Sequence, residues 1–257
     1  MIRPATAADY EAVLALSREL GNDDPDPPRD RWIAHQLPTT LVYERDGSAI
    51  GYLHYITLAE IGHVRHVRVT AAARRTGAGR ALMLAAADEL RRRHFPAWEL
   101  NVKETNTAAI ALYESLGLRP AYRAAWMRFE WAHVDRLPVD AAGTAPIAPD
   151  EDAAIEQQFG IARGRIAQSR ERDDRIIQLR DASGCAGVAC FDPAFPGAYV
   201  FATARPSLAR ALLETLQPHA RHAHLGMIVA HDAALEAVLV GAGGTVRFHV
   251  RHYQGRL

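Results

Sequence analysis

The chain has 257 residues, a length that fits one large domain or two small ones at roughly 150 residues per domain. Hydrophobic residues make up 49% and charged residues 23%, proportions that exclude global disorder and collagen-like repeats. Thirty basic residues balance thirty acidic ones, and without a basic excess we expect no nucleic-acid partner.

Membrane, export and metal signals are weak. Apolar runs such as 81–87 fall far short of the ~20 residues that a membrane-spanning helix needs. Residues 1–6 lack the basic-then-apolar pattern of a secretory signal. Cys185 and Cys190 are the only cysteines, too few for a disulfide framework or a Cys-based zinc site. We therefore expect a cytoplasmic protein with no membrane partner and no metal.

The first half of the chain predicts strands and helices mixed in an α+β order, with one strand–loop–helix crossover in the middle. In chain order we expect a helix at 9–20, a loop at 21–30 that leads into a short helix around Trp32, and two strands at 40–44 and 49–58 joined by a turn. These are followed by a third strand at 63–69, a basic turn with its helix at 74–93, a strand at 98–102, a helix at 107–116 and a closing strand at 123–130. The stretch 136–150 holds three prolines without hydrophobic periodicity, as is typical of a linker or a loose crossing strand. We predict a first domain at 1–136, a linker at 137–150 and a second domain at 151–257.

The segment 67–82 runs from a strand through Arg-x-x-Gly-x-Gly at 74–79 into a helix. Backbone N–H groups at a helix start attract anions, and glycines let a phosphate approach closely. Arg74, Arg75 and Arg80 add positive charge, so the pattern predicts a pyrophosphate site, with a glycine-capped helix and solvated arginines as the alternative. The turn is neither a Walker A motif, because no Lys-Ser/Thr follows, nor a complete dinucleotide fingerprint, because the third glycine is missing.

A second informative segment covers 106–118. Asn106 can cap a helix that Gly117 ends as a left-handed C-cap. Taken alone, the segment is more typical of a well-capped amphipathic helix with a half-buried Tyr113 than of a ligand site.

Together the two segments resemble the GNAT superfamily of acyl-CoA-dependent N-acetyltransferases, over residues 1 to about 131. The acyl-CoA signature of that family is a valine-rich strand, then Gln/Arg-x-x-Gly-x-Gly/Ala and a helix, matched here by Val67, Val69, Arg74, Gly77 and Gly79. Its later Asn-x-x-Ala-x-x-x-Tyr-x-x-x-Gly-Phe segment is matched by Asn106, Ala109, Tyr113 and Gly117, with Leu118 in place of Phe.

The resemblance implies a mixed, mostly antiparallel twisted sheet flanked by helices, and acetyl-CoA as acyl donor. It implies that the donor is held by the strand, the loop and the later helix start: Val67, Arg68, Val69, Arg74, Arg75, Thr76, Gly77, Ala78, Gly79, Arg80 and Asn106. It further implies that Tyr113 protonates the leaving thiolate while an amine attacks the thioester directly in a ternary complex, without a metal or a covalent acyl-enzyme.

The general base departs from the family pattern. The family often uses a Glu on the strand before the glycine loop, but here that strand reads Gly-His-Val-Arg-His at 62–66. His63 and His66 are candidates because imidazole titrates near neutrality, and Glu60 is a third; a structural role is the alternative for each. The acids of the loop 21–26 fall where the substrate lip of the family lies, and they either attract a cationic amine or form an ordinary solvated loop.

The sequence of the second half can be aligned with the first half as a degenerate repeat. His231 falls on Asn106 and Val238 on Tyr113, and 205–212 falls on the glycine loop, with Ser207 and Ala209 in place of Gly77 and Gly79. We interpret it as a second GNAT-like domain that has lost CoA chemistry, an arrangement similar to tandem GNAT proteins, including mycothiol-synthase-like ones.

The sequence thus predicts an acetyl-CoA-dependent N-acetyltransferase that acts on a primary amine of a small molecule or a protein N-terminus. One alternative is a non-catalytic acyl-CoA-binding or sensor module in which Tyr113 only packs. Another is a transferase with a different acyl donor or a mycothiol-precursor-like acceptor. A monomer and a homodimer both stay open.

Overall fold

The computed structural model describes residues 1–18 and 26–257 and divides the chain into two compact units. The first unit comprises Met1–Val102, Asn106–Pro120 and Tyr253–Leu257, and the second comprises Lys103–Thr105 and Ala121–His252. These limits differ from the domains expected at 1–136 and 151–257, which stay a prediction. Within the expected linker, Gly143–Ala145 forms a short strand and Leu137 is buried.

The first unit contains a mixed sheet with helices on both faces. Its strands are β1 (Ile2–Pro4), β2 (Thr40–Arg45), β3 (Ser48–Thr57), β4 (Ile61–Val69) and β5 (Ala97–Lys103), and its helices are α1 (Tyr10–Arg18), α2 (Arg29–His35), α3 (Ala78–Arg92) and α4 (Thr107–Ser115). Strands β1 to β4 pair antiparallel in chain order, and β5 joins β4 in parallel. A parallel pair needs a crossover connection, which α3 supplies.

Local sequence explains the expected elements of this unit. Asp46 and Gly47 both adopt left-handed φ values, 51° and 74°, as a two-residue hairpin turn requires between β2 and β3. On α3 the buried side chains recur at helical spacing, and Leu84 lies off this face with 42% of its surface exposed: Leu82, Met83, Ala86, Ala87 and Leu90. The strand β1 gave no period-2 signal because it spans only three residues.

The second unit repeats this design. Its strands are β6 (Arg119–Glu130), β7 (Gly143–Ala145), β8 (Arg175–Asp181), β9 (Gly184–Asp192), β10 (Gly197–Thr203), β11 (His224–Ala230) and β12 (Thr245–Arg256), and its helices are α5 (Asp152–Gln158), α6 (Arg165–Glu171), α7 (Ala209–Leu216) and α8 (Ala233–Gly241). Strands β7 to β10 pair antiparallel in chain order, β10 and β11 pair in parallel with α7 as the crossover, and β11 pairs antiparallel with β6. The predicted α+β class, with mixed and mostly antiparallel sheets, is confirmed.

The end of β12 and the residue that follows it, Tyr253–Leu257, belong to the first unit. Tyr253 is fully buried in a cluster with Leu100 and Tyr113, and its hydroxyl donates to the Glu114 carboxylate at 3.0 Å. The Leu257 N–H donates to the Pro96 carbonyl at 3.0 Å. Residues distant in sequence therefore complete the core around the first unit's sheet.

We expect Tyr253→Ala to lower the free energy of unfolding by about 3–5 kcal/mol, because it leaves a large cavity in this core. Tyr253→Phe keeps the ring and removes only one hydrogen bond, so about 1–2 kcal/mol is expected. Urea denaturation monitored by Trp fluorescence measures both. Equal stability of the two variants would contradict the buried position of the ring.

Candidate functional site

Strands β4 and β5 are hydrogen-bonded to each other along only about half of their length. Among the described residues of these strands, the parallel ladder joins Ile61–Val64 to Ala97–Leu100, whereas β4 continues to Val69 and β5 to Lys103. On the other side of β4, His54 pairs with His66 and Tyr55 with Val64, so Arg65 is an extra residue. Such a bulge bends its strand and ends regular pairing. A gap lined by backbone groups therefore opens beyond Val64.

The glycine turn lies where β4 leads into α3. Gly77 is the N-cap of α3 with φ +85°, and Arg75 has φ +65°. The Ala81 N–H donates to the Gly77 carbonyl at 2.9 Å, so the N–H groups of residues 78–80 precede the first intrahelical bond. Together with the helix dipole, these donors make the start of this 15-residue helix a site for an anion.

Charged and polar side chains surround this helix start. Arg74 and Arg75 are exposed, and the exposed Arg80 donates to the Ser115 hydroxyl at 2.9 Å, which ties the start of α3 to the end of α4. The Thr76 hydroxyl donates to the Ala73 carbonyl at 2.8 Å and braces the turn. Thr76 therefore acts within the loop, while the arginines supply positive charge at its mouth.

The predicted donor-binding strand presents its side chains to opposite faces. Val67 and Val69 are half-buried against the cluster under α3, and Arg68 lies across from Tyr52 in the β3–β4 ladder. Because successive side chains alternate, the two valines turn toward α3 and only their backbone groups line the gap.

Asn106 is the N-cap of α4, and Tyr113 lies within this helix. The Asn106 Oδ1 accepts from the Ala109 N–H at 3.2 Å, so this atom caps the helix as the sequence predicts. Gly117 ends the helix with φ +86°. Tyr113 is only 6% exposed, and burial raises the pKa of its hydroxyl well above the usual range. The phenol therefore stays protonated at any physiological pH.

The structure separates the three base candidates by environment. His63 is buried, and its Nδ1 lies 2.7 Å from Glu99 Oε1. Burial, reinforced by the charges of Arg65 and His63, lowers the pKa of His66 to about 3. Glu60 is exposed in the turn between β3 and β4.

Two side chains beside these histidines were not found from sequence. Glu99 faces His63 only through the parallel register of β4 and β5, which no local pattern encodes. His54 lies beside His66, with ring centroids 6.1 Å apart, and burial lowers its pKa well below the usual value. The alternation of β3 could have flagged His54 as inward-facing.

The proposed substrate lip is only partly within the described residues. Its members Asp23 and Asp24 lie outside them. Asp26 is described, and its carboxylate accepts from Arg18 at 2.6 Å, so it forms an exposed ion pair.

The second unit repeats the α4 caps with a shift of one residue from the predicted alignment. The Asp232 carboxylate accepts from the Leu235 N–H at 2.8 Å, as Asn106 accepts from Ala109. Gly243, with φ +108°, follows the end of α8 as Gly117 follows the end of α4. The Gly243 N–H donates to the Val240 carbonyl, and the Gly117 N–H donates to the Glu114 carbonyl. His231 adopts a left-handed φ of 59°, and the cap falls to the next residue. The expected match of His231 to Asn106 is therefore wrong, and the fully buried Leu239, not Val238, stands at the position of Tyr113.

The glycine turn is shortened in the second unit. Eight residues, 70–77, separate β4 from α3, but only five, 204–208, separate β10 from α7. The turn before α7 is thus three residues shorter than the turn before α3, beyond the expected replacement of both glycines by Ser207 and Ala209. The Asp140 carboxylate accepts from Arg205 at 2.7 Å and from the Ser207 hydroxyl at 2.6 Å, and these bonds hold its pKa below the usual range. The Asp140 carboxylate therefore already accepts hydrogen bonds from the side chains of Arg205 and Ser207 near the start of α7.

Neither membrane nor metal features emerge from the part of the chain that is described. Within residues 1–18 and 26–257, no helix combines the length and apolar character needed to cross a membrane. The same residues include no group of three or more His, Cys, Asp or Glu side chains placed to hold a metal ion.

Comparison with known proteins identifies relatives of this site. A model described as "Acetyltransferase (GNAT) family" matches residues 10–118, which include the glycine turn and Tyr113. The mycothiol acetyltransferase of Thermobispora bispora is 35% identical over 128 residues, 42% of this chain and 42% of that protein. The match thus spans less than half the length of this curated relative.

Solved structures extend the similarity to the full chain. A GCN5-related N-acetyltransferase from Sphaerobacter thermophilus has a TM-score of 0.70 at 18% identity, covering 100% of this chain and 95% of that one. A tandem GNAT protein from the clavulanic acid biosynthesis pathway has a TM-score of 0.63 at 20% identity, covering 100% and 98%. At these identities the likeness establishes the fold. Residues 10–118 belong to the acetyltransferase (GNAT) family, and the whole chain has the fold of a tandem GNAT protein.

Proposed function

We propose that the first unit is an acetyl-CoA-dependent N-acetyltransferase that acts on a primary amine. The observation that carries this proposal is the gap between β4 and β5, which leads directly to the anion-binding start of α3. A long donor with amides along its arm and a pyrophosphate at its end fits both features. The open space around Gly77, where an added Cβ would meet no atom within 4 Å, leaves room for that pyrophosphate.

The residues that would hold acetyl-CoA follow from this fit. Backbone N–H groups of residues 75–80, with Arg74, Arg75 and Arg80, would bind the pyrophosphate. Backbone groups of Val67–Val69 and the Asn106 amide would bind the pantetheine arm. When bound, acetyl-CoA supplies an activated thioester carbonyl and a thiolate leaving group.

Tyr113 is proposed as the general acid. Its buried hydroxyl stays protonated because burial raises its pKa, so a proton is in place for the departing thiolate. Support for this role comes from the buried cluster that Tyr113 shares with Val64 and Leu100, the last pair of the β4–β5 ladder.

The acceptor must lose a proton before its nitrogen can attack. His66, with a pKa near 3, is too weak a base to take a proton from an ammonium group. His63 and Glu60 are the stronger candidates, and His63 lies one residue from the end of the ladder. The matched relatives are named mycothiol acetyltransferases, so sugar amines bearing a thiol belong in the acceptor panel beside polyamines, amino acids and peptide N-termini.

We expect Tyr113→Phe to lower kcat by about 100-fold or more, because the thiolate then leaves without a proton. CoA thiol release from acetyl-CoA across pooled amines measures it. Tyr55→Phe, at another buried tyrosine of the same unit, is the matched control and should keep full activity. Binding of acetyl-CoA without turnover in any pool would instead favour a sensor.

We expect Gly77→Ala to weaken acetyl-CoA binding by about 10-fold, because alanine strains the left-handed N-cap and tilts the donor groups away. Gly47→Ala is the control, since that glycine has φ +74° and the same open space in a distant hairpin. Isothermal titration calorimetry gives both Kd values. Equal Kd values would count against the loop as the pyrophosphate site.

We expect one acetyl-CoA per chain. The second unit has a shortened turn, with an internal carboxylate on Arg205 and Ser207, so an incoming phosphate would meet a like charge. The stoichiometry from calorimetry, repeated with Gly77→Ala, measures this. Two sites of similar affinity would contradict it.

A further inference from the structure

A buried acid–imidazole pair joins β4 and β5 one residue pair before the ladder between these strands ends. His63 and Glu99 are cross-strand partners, followed by Val64 and Leu100, where the ladder ends. Their side chains are 7% and 4% exposed, and His63 Nδ1 lies 2.7 Å from Glu99 Oε1. When Glu99 is ionised its carboxylate only accepts hydrogen bonds; His63 Nδ1–H then donates to it, and the lone pair of the neutral ring lies on Nε2.

The carboxylate of Glu99 is held from a second direction. Gln254 Nε2 lies 3.5 Å from Glu99 Oε2, a long hydrogen bond from the part of β12 that belongs to the first unit. Both oxygens of Glu99 therefore have a partner, which limits rotation of the carboxylate about its stem. A fixed carboxylate in turn fixes the orientation of the imidazole.

The pair lies on the face of the sheet opposite α3. A Cβ added at Gly62 would lie 2.4 Å from the side chain of Leu90, so residue 62 points at α3. Because successive residues alternate, His63 points to the other face. Tyr113 packs in the cluster under α3, so the two groups lie on opposite faces of the sheet.

We propose that Glu99 is a positioning residue that holds His63 as the general base for the acceptor amine. This inference rests on the proposed function of the first unit. The acceptor ammonium loses two protons on becoming an amide: His63 Nε2 takes one, and the other returns to the Tyr113 oxygen after that hydroxyl has protonated the sulfur. The C–N bond forms, the C–S bond breaks, and His63 passes its proton to solvent.

The groups around His63 differ in charge and in burial. His54 on β3 and His66 on β4 have pKa values lowered by burial and stay neutral near pH 7. Arg65 on β4 disfavours a protonated imidazole, and Glu99 on β5 favours one. Gln254 on β12 carries no charge.

The test compares steady-state kinetics of three variants against wild type. We expect Glu99→Gln to lower kcat by about 10- to 100-fold with little change in the KM for acetyl-CoA, and His63→Gln to lower it by at least about 100-fold. Glu236→Gln is the control, because it removes another His–Glu pair, in which His249 Nε2 lies 3.0 Å from Glu236 Oε1, in the second unit. That control should match wild type.

The pH profile separates positioning from simple structural support. In wild type, kcat/KM should fall on the acid side as His63 is protonated. Glu99→Gln removes a negative charge that favours the imidazolium, so this limb should move to lower pH, and His63→Gln should abolish it. An unmoved limb with a raised KM for acetyl-CoA would mean that the pair only braces the strands, and it would overturn the proposal.

The tautomer of His63 gives a readout independent of turnover. Long-range 1H–15N NMR of the acetyl-CoA complex should show the Nδ1–H tautomer in wild type and a changed tautomer population in Glu99→Gln. An Nε2–H tautomer in wild type would overturn the inference even if the enzyme turns over. Absence of wild-type turnover with every acceptor, by contrast, would refute the proposed function and His63 as its base, whatever the tautomer.

Discussion

The separation of β4 from β5 beyond Val64 is the constraint on which the first unit's site depends. An unpaired strand edge inside a protein is costly, because each buried backbone group without a hydrogen bond costs about 1–3 kcal/mol. The extra residue Arg65 makes the separation local, so the ladder before it stays regular. A ligand with amides along its length can pair with these exposed edges, whereas a side chain could satisfy only one or two groups.

The second unit shares the strand geometry of the first but differs from it at the turn before the crossover helix. Its β10 also carries an extra residue, Tyr199, and the recorded β10–β11 ladder runs through Gly197 and Ala198 only. The turn before α7 is shortened, however, and Asp140 brings a negative charge to Arg205. The sheet topology is thus the same in both units, while the arginine near the helix start of the second unit is paired with a carboxylate.

Local signals predicted well those features that a few neighbouring residues determine. The turn at Asp46-Gly47, the left-handed Gly117 and the cap at Asn106 all follow from backbone preferences of single residues, and the structure has them. The helix cap of the second unit was misplaced, because apolar spacing fixes the face of a helix but not which polar residue accepts its first N–H bond. Asp232 settles that choice through its carboxylate.

Features that depend on strand register were beyond local inference. In the sequence, Glu99 is one acidic residue on a short strand. Only the parallel pairing of β4 and β5, which α3 connects, brings it to His63. Gln254 reaches the same carboxylate from a strand more than 150 residues away. Contacts of such long sequence separation are set by the whole fold, so the residues around a base can be predicted only once the sheet order is known.

The histidines of β3 and β4 show why residue type alone does not assign a base. His54 and His66 lie side by side, and burial lowers the pKa of both, which keeps them neutral near pH 7. His63 differs in having Glu99 within hydrogen-bond distance, and a carboxylate offsets the cost of charging a buried imidazole. A group that must gain and lose a proton in each cycle needs that offset, and of these three histidines His63 has it.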